Sequence, residues 1–230
     1  MIIFYMKIAL IKQQTGYEIP CDYKEYLHKV IGVLQKTNAD IIAGPELAIS
    51  NGYMPINKTE FNSFCSKISD SLNGNLVVPG TALVFNRREK WLRNIAPVIT
   101  KNRVLFHSKK SSVNEDNIAK NYQLEYQTGE KNEGIYYHNG VKVGIEICRD
   151  HSLGKLRNLD SQVDIQLILA CDLMGISPNN LVIKPEGIIG FVDGKMKDSG
   201  LDSYFMKKGR AFYFPNREEH RDYSLTEINQ

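Results

Sequence analysis

A cysteine at the end of an apolar run is the first residue in this chain that could do chemistry. Cys148 closes the run at residues 144–147, and the polar residues Arg149, Asp150 and His151 follow it. A thiol at a strand-to-helix turn can receive backbone N–H groups and the field of the helix dipole, which lower its pKa and build an oxyanion site. The alternative is a buried structural thiol, because free cysteine is among the most buried residue types.

Glu46 is the second candidate, at the end of a short apolar run over residues 39–44. Pro45 cannot donate a ladder hydrogen bond, so regular strand pairing is expected to end just before the glutamate. A carboxylate held against an apolar strand has a raised pKa, which suits a general base near neutral pH. The alternative is a helix cap or a surface glutamate.

Lys109 and Lys110 form the third candidate, directly after the predicted strand over residues 103–108. An ammonium group at a strand end can stabilise a developing oxyanion as a fixed positive charge. Exposed lysine pairs are common, so a surface role is the alternative.

Hydrophobic periodicity and turn signals predict the elements that must position these residues. Helices are predicted over residues 23–34, with Asp22 as the N-cap, and over 57–72. Strands are predicted over residues 7–12, 39–44, 75–85, 90–100, 103–108, 134–138, 141–148, 165–170 and 187–192. The Asn139-Gly140 pair predicts a tight hairpin turn.

The other segments give weaker signals. Residues 109–131 are polar and loop-like with one helical turn, and residues 150–159 favour a short helix. After Gly194 the pattern weakens, and the last fifteen or so residues are polar, which predicts a frayed end. The order of elements fits a mixed sheet with helices on its outer face, and two such sheets would give four layers in one domain over residues 1–230.

Composition narrows the class of protein. The 230 residues carry 29 basic and 26 acidic side chains, a net charge of +3, which is too mild to indicate nucleic acid binding. No run approaches the length of a membrane span, and the apolar residues 1–6 are too short for a signal sequence. The four cysteines, Cys21, Cys65, Cys148 and Cys171, lack zinc spacing and are expected to be reduced, which favours a cytoplasmic protein.

Together the three strand ends resemble the nitrilase, or carbon–nitrogen hydrolase, superfamily. Residues 39–48 followed by Gly52-Tyr53 are similar to its first glutamate block, residues 141–150 to its nucleophile block, and residues 164–169 to the strand beyond. The blocks occur in the family's order between about Lys7 and Gly194. The resemblance implies an α/β fold, a four-layer α-β-β-α sandwich, and thiol-dependent hydrolysis of a small amide or carbamoyl compound.

The resemblance also implies a Glu-Lys-Cys triad, with Glu46 as general base and Cys148 as nucleophile. Lys110 is preferred over Lys109 for the lysine, because residues 110–113 match the family's Lys-x-His-Leu pattern better, although Ser112 replaces the histidine. Glu125, which lies 148 − 125 = 23 residues before the cysteine, is preferred over Glu115 as the second glutamate.

Further expectations concern the pocket. Tyr53, Arg149 and Asp172 are candidate substrate-binding residues, and Arg149 either selects an acidic substrate or pairs with Asp150. The mechanism requires no cofactor, no metal site is predicted, and a homodimer is the default for the family. A nitrilase-fold binding or scaffold protein without activity is the alternative function, because the chain is short in its C-terminal third. A Cys-His hydrolase that uses His107, His138 or His151 is the less favoured alternative.

Overall fold

The chain folds into two packed β-sheets with helices on the outside. The structure is a computed structural model that describes residues 5–15, 22–50, 53–197, 200–207 and 218–229. Cys21, Gly52 and residues 1–4, on which sequence expectations were placed, lie outside the described residues.

The first sheet contains ten described strands. From one edge the path runs β14-β15-β1-β2-β4-β6-β5-β3, and β7 and β8 both pair with β6. The bounds of its strands are β1 Tyr5–Ile11, β2 Ile41–Ala43, β3 Ile56–Asn57, β4 Leu76–Val78, β5 Ala82–Asn86, β6 Trp91–Thr100, β7 Arg103–Ser108, β8 Glu125–Tyr126, β14 Glu218–Glu219 and β15 Tyr223–Asn229.

The second sheet has five described strands in the order β13-β12-β11-β10-β9. Their bounds are β9 Ile135–His138, β10 Val141–Ile147, β11 Val163–Ala170, β12 Ile183–Lys197 and β13 Gly200–Lys207. Asn139 and Gly140 join β9 to β10 with positive φ angles of 48° and 79°, as the turn signal predicts.

Four described helices complete the fold: α1 Tyr23–Thr37, α2 Lys58–Ser71, α3 Glu115–Asn121 and α4 Arg149–Ser152. Asp22 caps α1, because its side chain accepts a hydrogen bond from Lys24 N at 2.8 Å. Within the described residues no helix is long and apolar enough to cross a membrane.

Strand β1 shows how the alternation of side chains builds the layers. Ile8 and Leu10 point into a core that they share with the second sheet, whereas Ala9 and Ile11 point into a core shared with α1 and α2. Successive residues of a strand face opposite sides, so one strand serves both cores. The predicted layered α/β sandwich is confirmed.

The outermost layer over the second sheet is thin. The helix predicted over residues 150–159 is present only as α4 and a separate 3-10 turn at Arg157–Leu159. Gly154, with φ +63°, lies between these two pieces, where an L side chain would be strained.

Two other expectations from the sequence are wrong. The strand predicted over residues 75–85 is divided into β4 and β5, with Gly80 at φ +102° between them. The frayed C-terminal end is instead strand β15, which pairs antiparallel with β1 from Tyr5↔Asn229 to Ile11↔Tyr223. Tyr223 and Leu225 pack into the core shared with α1 and α2, and Ser224 and Thr226 are buried on the opposite face, so a polar composition does not mark an exposed end here.

Candidate active site

Cys148 occupies a sharp turn at the end of β10. Its φ and ψ angles are 48° and −109°, a conformation that L residues rarely adopt. Its backbone N–H donates to Leu169 O at 2.8 Å, which fixes the turn to the neighbouring strand β11. The side chain is largely buried, and Sγ lies 3.8 Å from the carbonyl oxygen of Cys171. The turn therefore holds the thiol in one position at the strand end.

Glu46 lies at the matching end of the first sheet, just beyond β2. Its backbone N–H donates to Ala170 O at the end of β11 at 3.2 Å, so one hydrogen bond joins the two sheets beside the pocket. The segment that leads to Glu46 requires a glycine at position 44, because a Cβ there would lie 2.2 Å from the hydroxyl of Tyr26 and 2.5 Å from the backbone oxygen of Pro79. The Glu46 side chain is buried and reaches the same pocket as Cys148.

Lys109 joins two buried carboxylates. Its Nζ lies 2.8 Å from Glu46 Oε1 and 2.6 Å from Glu115 Oε1. Asn94 supports both Glu46 and Lys109. Its side-chain Nδ2 donates to Glu46 Oε1 at 2.9 Å, and its backbone carbonyl accepts from the backbone N–H of Lys109 at 2.8 Å. Burial lowers the pKa of Lys109, but the two carboxylates outweigh burial and raise that pKa, so the ammonium stays charged.

Lys110, the lysine preferred from the sequence, lies outside this cluster. Its Nζ donates to the carbonyl oxygens of Lys131 and Glu133 at 2.9 and 2.6 Å. Neighbouring residues of an extended segment point to opposite sides, so only one of the two lysines can face Glu46. The structure places Lys109 beside Glu46, and Lys110 faces away from it.

Glu125, preferred as the second glutamate, is also remote from the cluster. It is exposed on the short strand β8, opposite Trp91 of β6, and does not line the pocket. Glu115, the rival, is buried at the first position of α3. Its Oε1 accepts from Lys109, and its Oε2 accepts from the backbone N–H groups of Val113 and Asn114 at 2.7 and 3.1 Å.

The pKa values of Glu46 and Cys148 are both raised, which makes the carboxylate a stronger base but the thiol a weaker acid than the strand-to-helix turn predicts. Burial raises the pKa of Glu46, and Lys109 opposes that shift. Burial also raises the pKa of the Cys148 thiol, and the nearby Glu46 charge raises it further. In the free protein the thiol is therefore protonated, beside a carboxylate of increased basicity.

These groups line a pocket of about 840 Å³. Its inner wall carries Glu46, Lys109, Glu115 and Cys148, and the candidate substrate-binding residues Tyr53, Arg149 and Asp172 also line it. Asp172 is exposed, and its carboxylate pairs with Lys195 at 2.5 Å. The other lining residues are Gln14, Thr15, Val113, Asn114, Ser152, Cys171, Leu173 and Met174.

The histidines do not form a Cys-His pair with Cys148. His151 Nδ1 lies 2.7 Å from Glu146 Oε2, and its Nε2 accepts from Ser177 N at 3.0 Å, so the ring is held on the outer side of the second sheet. His107 is buried, and burial lowers its pKa to about 3. Neither these two nor His138 lines the pocket. Among the described residues no His, Cys, Asp and Glu side chains cluster as a metal site.

Two further residues support the site, and the sequence predicts the contacts of neither. Asn94 lies within β6, where an amide in a largely apolar strand is the only local signal. The sequence offers Asp150 as a partner of Arg149, but its carboxylate accepts instead from Lys110 N at 2.7 Å and Ser111 Oγ at 2.7 Å. Asp150 therefore connects the cysteine turn to the lysine segment.

Comparison with solved structures shows which known proteins share this fold. The chain is similar to an amidase from Nesterenkonia sp., with 15% identity, a TM-score of 0.67, and coverage of 98% of this chain and 90% of that one. A CN-hydrolase superfamily protein from Xanthomonas campestris, with an arsenic adduct in its active site, gives 12% identity, a TM-score of 0.64 and the same coverage.

A glutamine-dependent NAD+ synthetase from Acinetobacter baumannii is similar over 98% of this chain and 45% of its own, with 19% identity and a TM-score of 0.66. No family model matches the sequence, and no curated protein matches it. The protein therefore has the nitrilase-superfamily fold, shared with amidases and other carbon–nitrogen hydrolases.

Proposed function

We propose that the protein is a thiol-dependent amidohydrolase that cleaves a non-peptide C–N bond of a small amide. The observation that carries the proposal is that Lys109 Nζ bridges Glu46 and Glu115, at 2.8 and 2.6 Å, in the pocket that contains the Cys148 thiol. A buried base, a buried cation and a thiol in one pocket fit nucleophilic acyl transfer.

Acylation begins when the Cys148 thiol transfers its proton to Glu46 and Sγ attacks the amide carbon. The carbonyl oxygen gains the electron pair and becomes an oxyanion. Lys109 has three N–H donors and uses two on carboxylates, so the third is available to the oxyanion. The backbone N–H of Arg149, at the first position of α4, has no acceptor within its helix and serves as a second donor.

The intermediate then collapses, and the C–N bond breaks. Ammonia leaves with the proton that Glu46 took from the thiol, and a thioester on Cys148 remains. Glu46 next takes a proton from water, whose oxygen attacks the thioester. The second collapse releases a carboxylic acid and returns the proton to the cysteine sulfur. Glu115 touches no reacting atom in this scheme and positions Lys109.

An amide panel tests the proposal, with released ammonia and intact protein mass as the two measurements. Butyramide belongs in the panel, because a cysteine-to-alanine variant of the Nesterenkonia amidase has been solved in complex with it, at 15% identity and a TM-score of 0.68. Small aliphatic, ω-acidic and carbamoyl amides complete it. We expect ammonia release and a transient acyl adduct on Cys148 with the native protein, and neither with Cys148→Ala.

Two results would contradict the proposal. Turnover retained in Cys148→Ala would exclude the thiol as nucleophile. A folded native protein that gives neither ammonia nor an adduct with any amide in the panel would favour the alternative, a binding or scaffold protein with this fold.

A further inference from the structure

Six aspartate, glutamate, lysine and arginine side chains line the pocket, and five of them have charged partners. Lys109 lies between Glu46 and Glu115, and Lys195 pairs with Asp172. The sixth is Arg149, which is exposed, lines the pocket and forms no ion pair with any other residue that the structure describes.

We propose that Arg149 binds a carboxylate of the substrate, so that the protein acts on amides that also carry a carboxylate a few carbons from the scissile bond. This inference rests on the proposed function and adds the substrate class to it. A guanidinium group offers parallel N–H donors that match a carboxylate in a bidentate arrangement, and it remains charged at every physiological pH.

The position of Arg149 limits the length of the substrate. It directly follows Cys148, and consecutive Cα atoms are about 3.8 Å apart. The guanidinium can therefore lie no farther from the Cys148 sulfur than this spacing plus the lengths of the two side chains. A linker of two or three methylene groups keeps a carboxylate within that distance of the scissile carbon, as in the half-amides of short dicarboxylic acids.

The other charges of the pocket favour one direction of binding. A substrate carboxylate placed at the inner wall would face Glu46, Glu115 and Lys109, which together carry one net negative charge when both glutamates are ionised. Near Asp172, Lys195 balances the carboxylate charge, so that place offers a second carboxylate no net attraction. Repulsion at the inner wall and attraction at Arg149 direct the neutral amide end toward Cys148.

Matched pairs of amides test the inference. Succinamate differs from butyramide only in a carboxylate in place of the terminal methyl group, and glutaramate differs from valeramide in the same way. We expect the native protein to prefer the acidic member in kcat/KM. Arg149→Gln should lower that preference roughly 10–100-fold, the effect of losing hydrogen bonds to a charged group, and Arg149→Lys should retain part of it.

Two further variants isolate the effect. Arg157→Gln removes an exposed arginine that does not line the pocket and should leave the preference as in the native protein. Lys195→Gln tests the rival cation of the pocket. A native protein without preference for succinamate, a preference that survives Arg149→Gln, or one abolished by Lys195→Gln alone would each overturn the assignment of Arg149.

The test also separates this inference from the proposed function. Cys148-dependent hydrolysis of butyramide and valeramide without preference for their acidic analogues would leave the amidohydrolase intact and overturn only the substrate class. No Cys148-dependent turnover of either member of any pair would overturn both.

Discussion

The backbone N–H of Lys110 donates a 2.7 Å hydrogen bond to Oδ2 of Asp150, two residues beyond the nucleophile. The other oxygen of the same carboxylate accepts from Ser111 Oγ at 2.7 Å. These bonds hold the segment that carries Lys109 against the turn that carries Cys148. The placement of Lys109 in the pocket therefore depends on a residue that itself does not line it.

The first prediction concerns the pH dependence of stability. Burial raises the pKa of Asp150 from 3.8 to about 6. Because this folded-state pKa exceeds the unfolded value, the contribution to stability is fully present below the unfolded pKa and is lost as pH rises through about 6. Asp150→Asn should remove this dependence, since an amide stays neutral.

Urea unfolding of the two proteins between about pH 4 and pH 7 measures the effect. The free energy of unfolding of the native protein, relative to Asp150→Asn, should fall by on the order of 3 kcal/mol across this window. A difference that stays constant with pH would contradict the raised pKa.

The two neighbouring lysines make a second prediction. Lys109→Met leaves Glu46 and Glu115 buried without their cation, so we expect turnover to fall at least about 100-fold and stability to fall by roughly 3–5 kcal/mol. Lys110→Met removes hydrogen bonds to two backbone carbonyls and should change stability by only about 1 kcal/mol. Amide turnover and urea unfolding of both variants check this; equal losses would argue against the assignment of Lys109.

Glu115 and Glu125 provide a third, parallel comparison. Glutamine at position 115 keeps one acceptor oxygen, whereas Glu115 uses two, one for Lys109 and one for the N–H groups of Val113 and Asn114. Glu115→Gln should therefore cost about 1–3 kcal/mol of stability and lower turnover by misplacing Lys109. Glu125→Gln, at an exposed position, should match the native protein in both assays. If Glu125→Gln instead lowered turnover and Glu115→Gln matched the native protein, Glu125 would be the second glutamate.

The turn at Cys148 leads to a fourth prediction, for stability alone. Its φ of 48° with ψ of −109° strains any residue with a side chain by about 1–3 kcal/mol. Cys148→Gly removes that strain, and Cys148→Ala keeps it. We expect the glycine variant to be at least as stable as the alanine variant in urea unfolding, although glycine within a strand or helix usually costs about 0.5–1 kcal/mol. A clearly less stable glycine variant would mean that the turn is relaxed.

Much of the fold and part of the site can be predicted from the sequence. The Asn139-Gly140 turn and the Asp22 cap are local, because their geometry depends on the residues themselves. Glu46 and Cys148 can each be predicted as a polar residue that ends an apolar strand, but their strands belong to different sheets, so their convergence on one pocket depends on how the two sheets pack.

The choice of lysine and of second glutamate cannot be predicted in this way, because it depends on three-dimensional contacts that spacing along the chain does not specify. A shift of one residue turns a side chain to the opposite face, so the choice between Lys109 and Lys110 needs the actual path of the segment. Glu115 reaches the pocket from the first position of α3, although Glu125 has the spacing that the family pattern favours.

The C-terminal strand is the clearest long-range case and carries the fifth prediction. Strand β15 pairs with β1, more than two hundred residues earlier, and Leu225 is 8% exposed in the core under α1 and α2. Leu225→Ala should therefore cost roughly 2–5 kcal/mol of unfolding free energy. Arg221→Ala, at an exposed position just before the strand, should change it by less than about 0.5 kcal/mol. Urea unfolding of both variants decides the matter: a frayed C-terminal end would make the two substitutions equally harmless, whereas a strand that closes the sheet makes only Leu225→Ala destabilising.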